Sequence, residues 1–256
     1  MFAENPHGYP TWSLRRDAAL RGETIAALHA NNVTISIGEG FLQWPHAQVS
    51  DYVSDLDLMR ELGAQRINLE SLDPDLNHAF DQCAKFAEMA STRGLVTVLE
   101  YLPIPGLAIS DLSTAVRAIR HAANKNFAIA VDTMHFFRSG STPSDLAAVD
   151  PAVIGYIQLC DIPLVAKYDD YAYEARFDRL APGEGELPLF DFLTAAPRDV
   201  IVGLEVPMLR KAEAGIGPKA RLSEGLKTTR EMLTRIDASD RSRGSNPQPP
   251  IRTFRA

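Results

Sequence analysis

Apolar positions along the chain recur in two rhythms that take turns. Helical spacing, with apolar residues three and four apart, marks 14–32, 46–64, 76–94, 112–126, 187–196 and 221–236. Between these lie short β-branched or continuous apolar runs at 33–40, 65–72, 95–102, 127–137, 153–161 and 200–207, which predict strands. Gly63 and Gly94 stop two of the helices, and Asp111 or Ser110 caps a third. "TPSDLAAVD" at 142–150 predicts a short helix with Pro143 at its start. Strands that alternate with helices pair in parallel and give an α/β fold. Strands this apolar are buried on both faces. One domain is expected over 1–238, and the polar, Pro-rich segment 239–256 is expected to be a disordered tail.

The chain has 256 residues, 45% of them hydrophobic, so a large core is available. A net charge of -7 argues against a general nucleic-acid binder. No apolar run approaches the roughly 18 residues of a membrane span, and "MFAENPHGYPTW" lacks the basic and apolar parts of a signal peptide. A cytoplasmic protein without membrane or nucleic-acid partners is expected, with Cys83 and Cys160 as buried free thiols. "GEGELP" at 183–188 is neither a Walker motif nor a dinucleotide fingerprint.

Polar residues interrupt the apolar strands at one end. Glu70, Glu100, Asp132 with His135, Gln158 with Asp161, and Glu205 all fall at strand C-termini. That end is the reactive face of a β/α barrel and the crevice of a doubly wound sheet. A single such carboxylate usually caps a helix or ends a strand in solvent. Their recurrence at successive strand ends favours a shared site, and like charges gathered there need a counter-ion, most simply a divalent cation. Arg138, Arg176 and Arg179 suit an anionic or hydroxyl-rich substrate, since a guanidinium donates paired hydrogen bonds. Arg176 lies in a long loop before residue 187, and such loops are often functional. Phe41 and Trp44 in "GEGFLQWP" read as core residues that could also wall a pocket.

The pieces "TVLEYLP", "AVDTMHFFRSG", "YIQLCDIP", "EARFDRLAPGEGELPL" and "VGLEVP", in this order over residues 95–207, resemble the xylose-isomerase-like TIM-barrel superfamily, the sugar phosphate isomerases/epimerases. The resemblance implies one divalent metal held by Glu100, Asp132, Gln158 and Glu205. Many members carry His where this chain has Gln158, and the "QLCD" and "DTMH" segments resemble the branch of bacterial 3-dehydroshikimate dehydratases. An all-oxygen ligand set suits Mn²⁺ or Mg²⁺, with Co²⁺ admissible, better than Zn²⁺. The implied fold is a (β/α)8 TIM-barrel type. The four ligand strands would be its fifth to eighth, so the chain is expected to lack the first two strands and the first helix and to show about six strands. Truncation, an open barrel or closure by a partner would follow.

The resemblance implies a metal-dependent isomerase or epimerase acting on a small keto-sugar or polyhydroxy ketone through a metal-stabilised enediolate. His135 is the candidate base, and Glu100 and Glu205 double as ligands and acid/base pair. Asp161 would hold a substrate hydroxyl or orient Gln158, and Glu70 would stand at the mouth. A dehydratase of a cyclic hydroxy-ketone such as 3-dehydroshikimate or an inosose is the alternative, favoured by Gln158 and His135. A non-catalytic truncated barrel that binds a partner is the third reading. The expected partner is a small-molecule substrate, with a homo-oligomer allowed.

Overall fold

A computed structural model describes residues 12–242. Six parallel strands lie side by side in chain order: β1 (Gly38–Gln43), β2 (Arg66–Ser71), β3 (Val96–Glu100), β4 (Phe127–Asp132), β5 (Ile154–Leu159) and β6 (Val202–Leu204). Among the described residues, β1 and β6 are the two edges of this sheet. The fold is the expected TIM-barrel type with six strands. Around it run α1 (Ala18–Ala30), α2 (Val53–Glu61), α3 (Leu76–Ser91), α4 (Leu112–Ala122), α5 (Thr133–Arg138), α6 (Pro143–Ala147), α7 (Tyr171–Phe177), α8 (Leu189–Ala195), α9 (Leu209–Glu213) and α10 (Pro218–Ser242). No described helix is long and apolar enough to cross a membrane.

Alternation along the strands builds two cores. Ile67, Leu69, Leu99, Ile129, Val131, Ile157 and Leu159 face outward into a large core shared with Phe80, Phe86, Ile119 and Phe192 of the helices. The intervening residues Val98, Ala128, Ala130 and Tyr156 form a separate small core, joined by Ile37 and Ile201. Small side chains leave room for Tyr156, whose hydroxyl lies 3.3 Å from Ser36 Oγ across the interior. Gly203 is required beside it, because a Cβ there would lie 2.3 Å from the Tyr156 hydroxyl.

Local signals account for most element ends. Asp17, Asp75 and Asp111 cap α1, α3 and α4 through their side chains, and Thr142 with Asp145 closes a capping box on α6. Gly63 and Gly94 hold positive φ angles after α2 and α3. Four expectations need correction. The first strand begins at Gly38 rather than 33 and carries an irregular register between Gly38 and Phe41, where Gly40 has φ +93°. The run 127–137 divides, because Asp132 ends β4 and caps α5. The loop after β5 contains α7, which Asp170 caps. Trp44 is 49% exposed and is not a core residue, whereas Phe41 is buried against Tyr52 and Phe86. Cys83 and Cys160 are free and buried, as expected. Helix α10 runs on to Ser242, so only 243–256 of the expected disordered tail remains, and it lies outside the described residues.

Candidate metal centre

The inner-face alternation delivers one polar side chain per strand to the C-terminal mouth. Val98 and Ala130 point inward, so Glu100 and Asp132, two residues on, do so as well. Gln158 follows Tyr156 on β5 by the same rule, and Glu205 follows Gly203 on β6. Register places Glu70 beside Glu100 and Asp132 beside Gln158. Glu39 of β1 completes the ring and meets Gln158 at 2.9 Å. The expected strand-end residues therefore share one face, and the structure adds Glu39. Its signal, a lone acid between two glycines, was masked by the irregular start of β1.

The cap at Asp132 sets the geometry of the centre. Its Oδ1 accepts the His135 backbone N–H at 3.0 Å, which turns α5 back over the mouth. His135 Nε2 then lies 3.2 Å from Glu100 Oε1, and Nδ1 contacts the Tyr171 hydroxyl. Glu100 also accepts from Asn68 Nδ2. Among the described His, Cys, Asp and Glu side chains, Glu100, Asp132 and His135 form the group that can converge on one metal ion, with ligand atoms all within 4.8 Å of one another. All three are buried.

Arg179 supplies the internal cation. It is 3% exposed, and its Nη1 lies 2.5 Å from Asp132 Oδ2 and 3.5 Å from Glu205 Oε2. Glu205 thus sits across Arg179 from Asp132 rather than within the convergent group. Burial pushes the Asp132 carboxyl up, but Arg179, His135 and the capping N–H outweigh it and hold the carboxyl below its ordinary value. The rest of the ring is short of positive charge. Burial, then the neighbouring Glu100, raises Glu39 to about 7 and Glu70 to about 8. Burial likewise raises Glu205 to about 9, against the pull of Arg179. Carboxyls raised in this way mark a mouth where like charges gather with little positive charge beside them.

The ring also fits a cation on donor chemistry. Gln158 is 3% exposed, its Nε2 is spent on Glu39, and its buried Oε1 has no hydrogen-bond partner. An oxygen left bare on the strand next to Asp132 has the chemistry of a metal ligand.

Arg138 and Asp161, expected to meet substrate, also make contacts within the protein. Arg138 reaches the Pro163 and Leu164 carbonyls and pairs with Glu174 at 3.2 Å, which ties α5 to α7. Asp161 is buried and accepts the backbone N–H groups of Ile162, Gly183 and Leu187 at 2.9 to 3.0 Å. Its carboxylate anchors the glycine-rich loop. A Cβ at Gly185 would lie 2.3 Å from Asp161 Oδ1, so glycine is needed there. Arg176 is exposed on α7, and its charge reaches Glu70.

The sequence pattern of the xylose isomerase-like TIM barrel family matches residues 7–232. A 3-dehydroshikimate dehydratase of Pseudomonas aeruginosa is 29% identical over 144 residues. That match covers 54% of this chain and only 22% of the relative's length. Among solved structures, a xylose isomerase-like TIM barrel/4-hydroxyphenylpyruvate dioxygenase fusion protein superposes with a TM-score of 0.74 at 18% identity, covering 95% of this chain and 40% of that one. An L-ribulose 3-epimerase superposes with a TM-score of 0.68 at 12% identity, covering 96% of this chain and 86% of that one. Likenesses of this order establish the shared fold.

Proposed function

Because the chain belongs to the xylose isomerase-like TIM barrel family, we propose that it is a divalent-metal-dependent isomerase or epimerase of a small keto-sugar or related polyhydroxy ketone. The observation that carries this reading is the ring of inward polar side chains at the mouth, with buried Glu100, Asp132 and His135 converging and the Gln158 oxygen unpartnered. Glu100, Asp132 and Gln158 Oε1 would hold the ion, and Glu205 would complete the set from across Arg179. Oxygen donors of this kind suit Mn²⁺ or Mg²⁺. A bound ion supplies Lewis-acid polarisation of a substrate carbonyl and offsets negative charge that develops on its oxygen.

The chain's own groups supply proton transfer. His135 is the base for the carbon next to the carbonyl, because its ring lies against Glu100 and Asp132, where a carbonyl held at that centre would bring the carbon. Glu100 at Nε2 and Tyr171 at Nδ1 fix the plane of its ring. Arg179 holds Asp132 and Glu205 in place. Glu205, across Arg179 from Asp132, is the second carboxyl placed to return a proton to the neighbouring carbon or to the opposite face. Return to a new carbon is isomerisation, and return to the other face is epimerisation.

Two observations favour dehydration as a second reading. They are Gln158 in the ligand ring and the 29% identity to a 3-dehydroshikimate dehydratase. There His135 would take the α-proton and a protonated ring carboxyl would assist loss of the β-hydroxyl.

The test is exchange in D₂O. With Mn²⁺ present, ketoses and cyclic hydroxy-ketones are followed by proton NMR for deuterium at the α-carbon, and 3-dehydroshikimate for the absorbance of an aromatic product. Exchange with a new sugar stereoisomer establishes the first reading, and aromatic product establishes the second. A metal-loaded protein that exchanges no α-proton across the panel refutes both.

A further inference from the structure

Gln158 is an unusual neighbour for a ring of carboxylates. A primary amide can turn over with almost no change of shape, exchanging two donors for an acceptor. Beside Asp132, an acceptor on the neighbouring strand, the unforced choice is to point the NH₂ group inward. The structure has the reverse orientation. Nε2 faces outward to Glu39 Oε1 at 2.9 Å, and Oε1 is buried and bare. An unsatisfied buried carbonyl costs about 1–3 kcal/mol, so some group must hold the amide that way.

Glu39 is the group placed to do so. A carboxylate only accepts, so a hydrogen bond to it fixes which end of the amide faces β1. The contact crosses from β5 to the edge strand β1, and the irregular register after Gly38 brings Glu39 to it.

We propose that Glu39 is a positioning residue that turns the Gln158 amide so that its oxygen, not its nitrogen, faces the metal site. This rests on the metal-centre reading above. Loss of Glu39 frees the amide to turn its NH₂ group toward Glu100 and Asp132, where it repels a cation.

The test is a double-mutant cycle in Mn²⁺ affinity, measured by calorimetry or electron paramagnetic resonance on the full chain. Its members are wild type, Glu39→Gln, Gln158→Glu and the double variant, each checked for folding by circular dichroism. Glu39→Gln keeps the size and shape of the side chain, so it should fold. Alone it should weaken Mn²⁺ binding by about 10–100-fold, the usual loss for a group that orients a ligand. Gln158→Glu presents oxygen whichever way it turns, so in that background Glu39→Gln should change affinity by less than about twofold, the limit of additivity between independent sites. An equal loss in both backgrounds would mean that Glu39 acts only through its charge, and the proposal falls. It also falls if Glu39→Gln alone binds like wild type. A wild type that binds no Mn²⁺ removes the metal-centre reading and this inference with it.

Discussion

Replacement of Arg179 by methionine removes the one buried cation of the centre while keeping most of its volume. In the native chain its Nη1 bridges Asp132 and Glu205 at 2.5 and 3.5 Å, and its Nε donates to the Ala175 carbonyl at 2.8 Å. Asp132 is fully buried, so without Arg179 the upward push of burial is opposed chiefly by His135 and the capping N–H. Breaking one partner from a buried pair costs about 3–5 kcal/mol, and we expect Arg179→Met to lose that much in the presence of chelator. A divalent ion at a hundred times its dissociation constant returns about 2.7 kcal/mol, because it replaces the missing positive charge. Urea unfolding read by circular dichroism, with EDTA or with Mn²⁺, measures both terms. At a slope of about 2–3 kcal/mol per molar, the midpoint should fall by roughly 1–2 M in EDTA and recover in part with Mn²⁺. A loss below about 1 kcal/mol in EDTA would refute the assignment of Arg179 as the charge that holds the empty ring together.

Further outcomes follow from the same geometry. Glu70 and Glu205 titrate near 8 and 9 in the fold, against about 4.3 in an unfolded chain. The folded state therefore keeps protons that the unfolded state releases, and the melting temperature in EDTA should fall as pH rises from about 5 to 9. Mn²⁺ should flatten that slope, whereas a flat EDTA profile would contradict the raised carboxyls. His135→Gln should lower turnover by about 10²–10⁴-fold if the residue is the base, while Mn²⁺ stays bound; loss of Mn²⁺ would make it a ligand instead. Gly185→Ala places a methyl group against Asp161 and should release the 181–187 loop, seen as faster proteolytic nicking there than in wild type. Cys83 and Cys160, buried with thiols pushed up to about 12, should resist a disulfide reagent until urea is added.

The strands were legible because burial on both faces leaves continuous apolar runs, and the acid at the end of each run breaks that pattern visibly. Glu100, Asp132 and Gln158 could be found this way. Glu39 also follows a β-branched run, 33–37, but the glycines on either side of it read as the end of that strand rather than as part of it. Helix α7 was hidden because it is short and follows a polar loop; its Asp170 cap was its one local signal. Arginine and aspartate suit substrates and loop backbones equally well. Apart from Ile162 next to Asp161, the partners of Arg138 and Asp161 lie 22 to 36 residues away in sequence, where only the fold can supply them. The same distance hid the bridge from Arg179 to Asp132, 47 residues apart.

A closed barrel fixes the width of its mouth with an unbroken hoop of backbone hydrogen bonds. Among the described residues the hoop stops at β1 and β6, and side chains span the interior between β1 and β5: Tyr156 to Ser36 below, Gln158 to Glu39 above. The upper clasp is made by a member of the metal ring itself. Ordering the ligand and drawing the two halves of the arc together are then one event. An ion that captures the Gln158 oxygen should also tighten the scaffold, and slower amide exchange along β1 and β5 would register it.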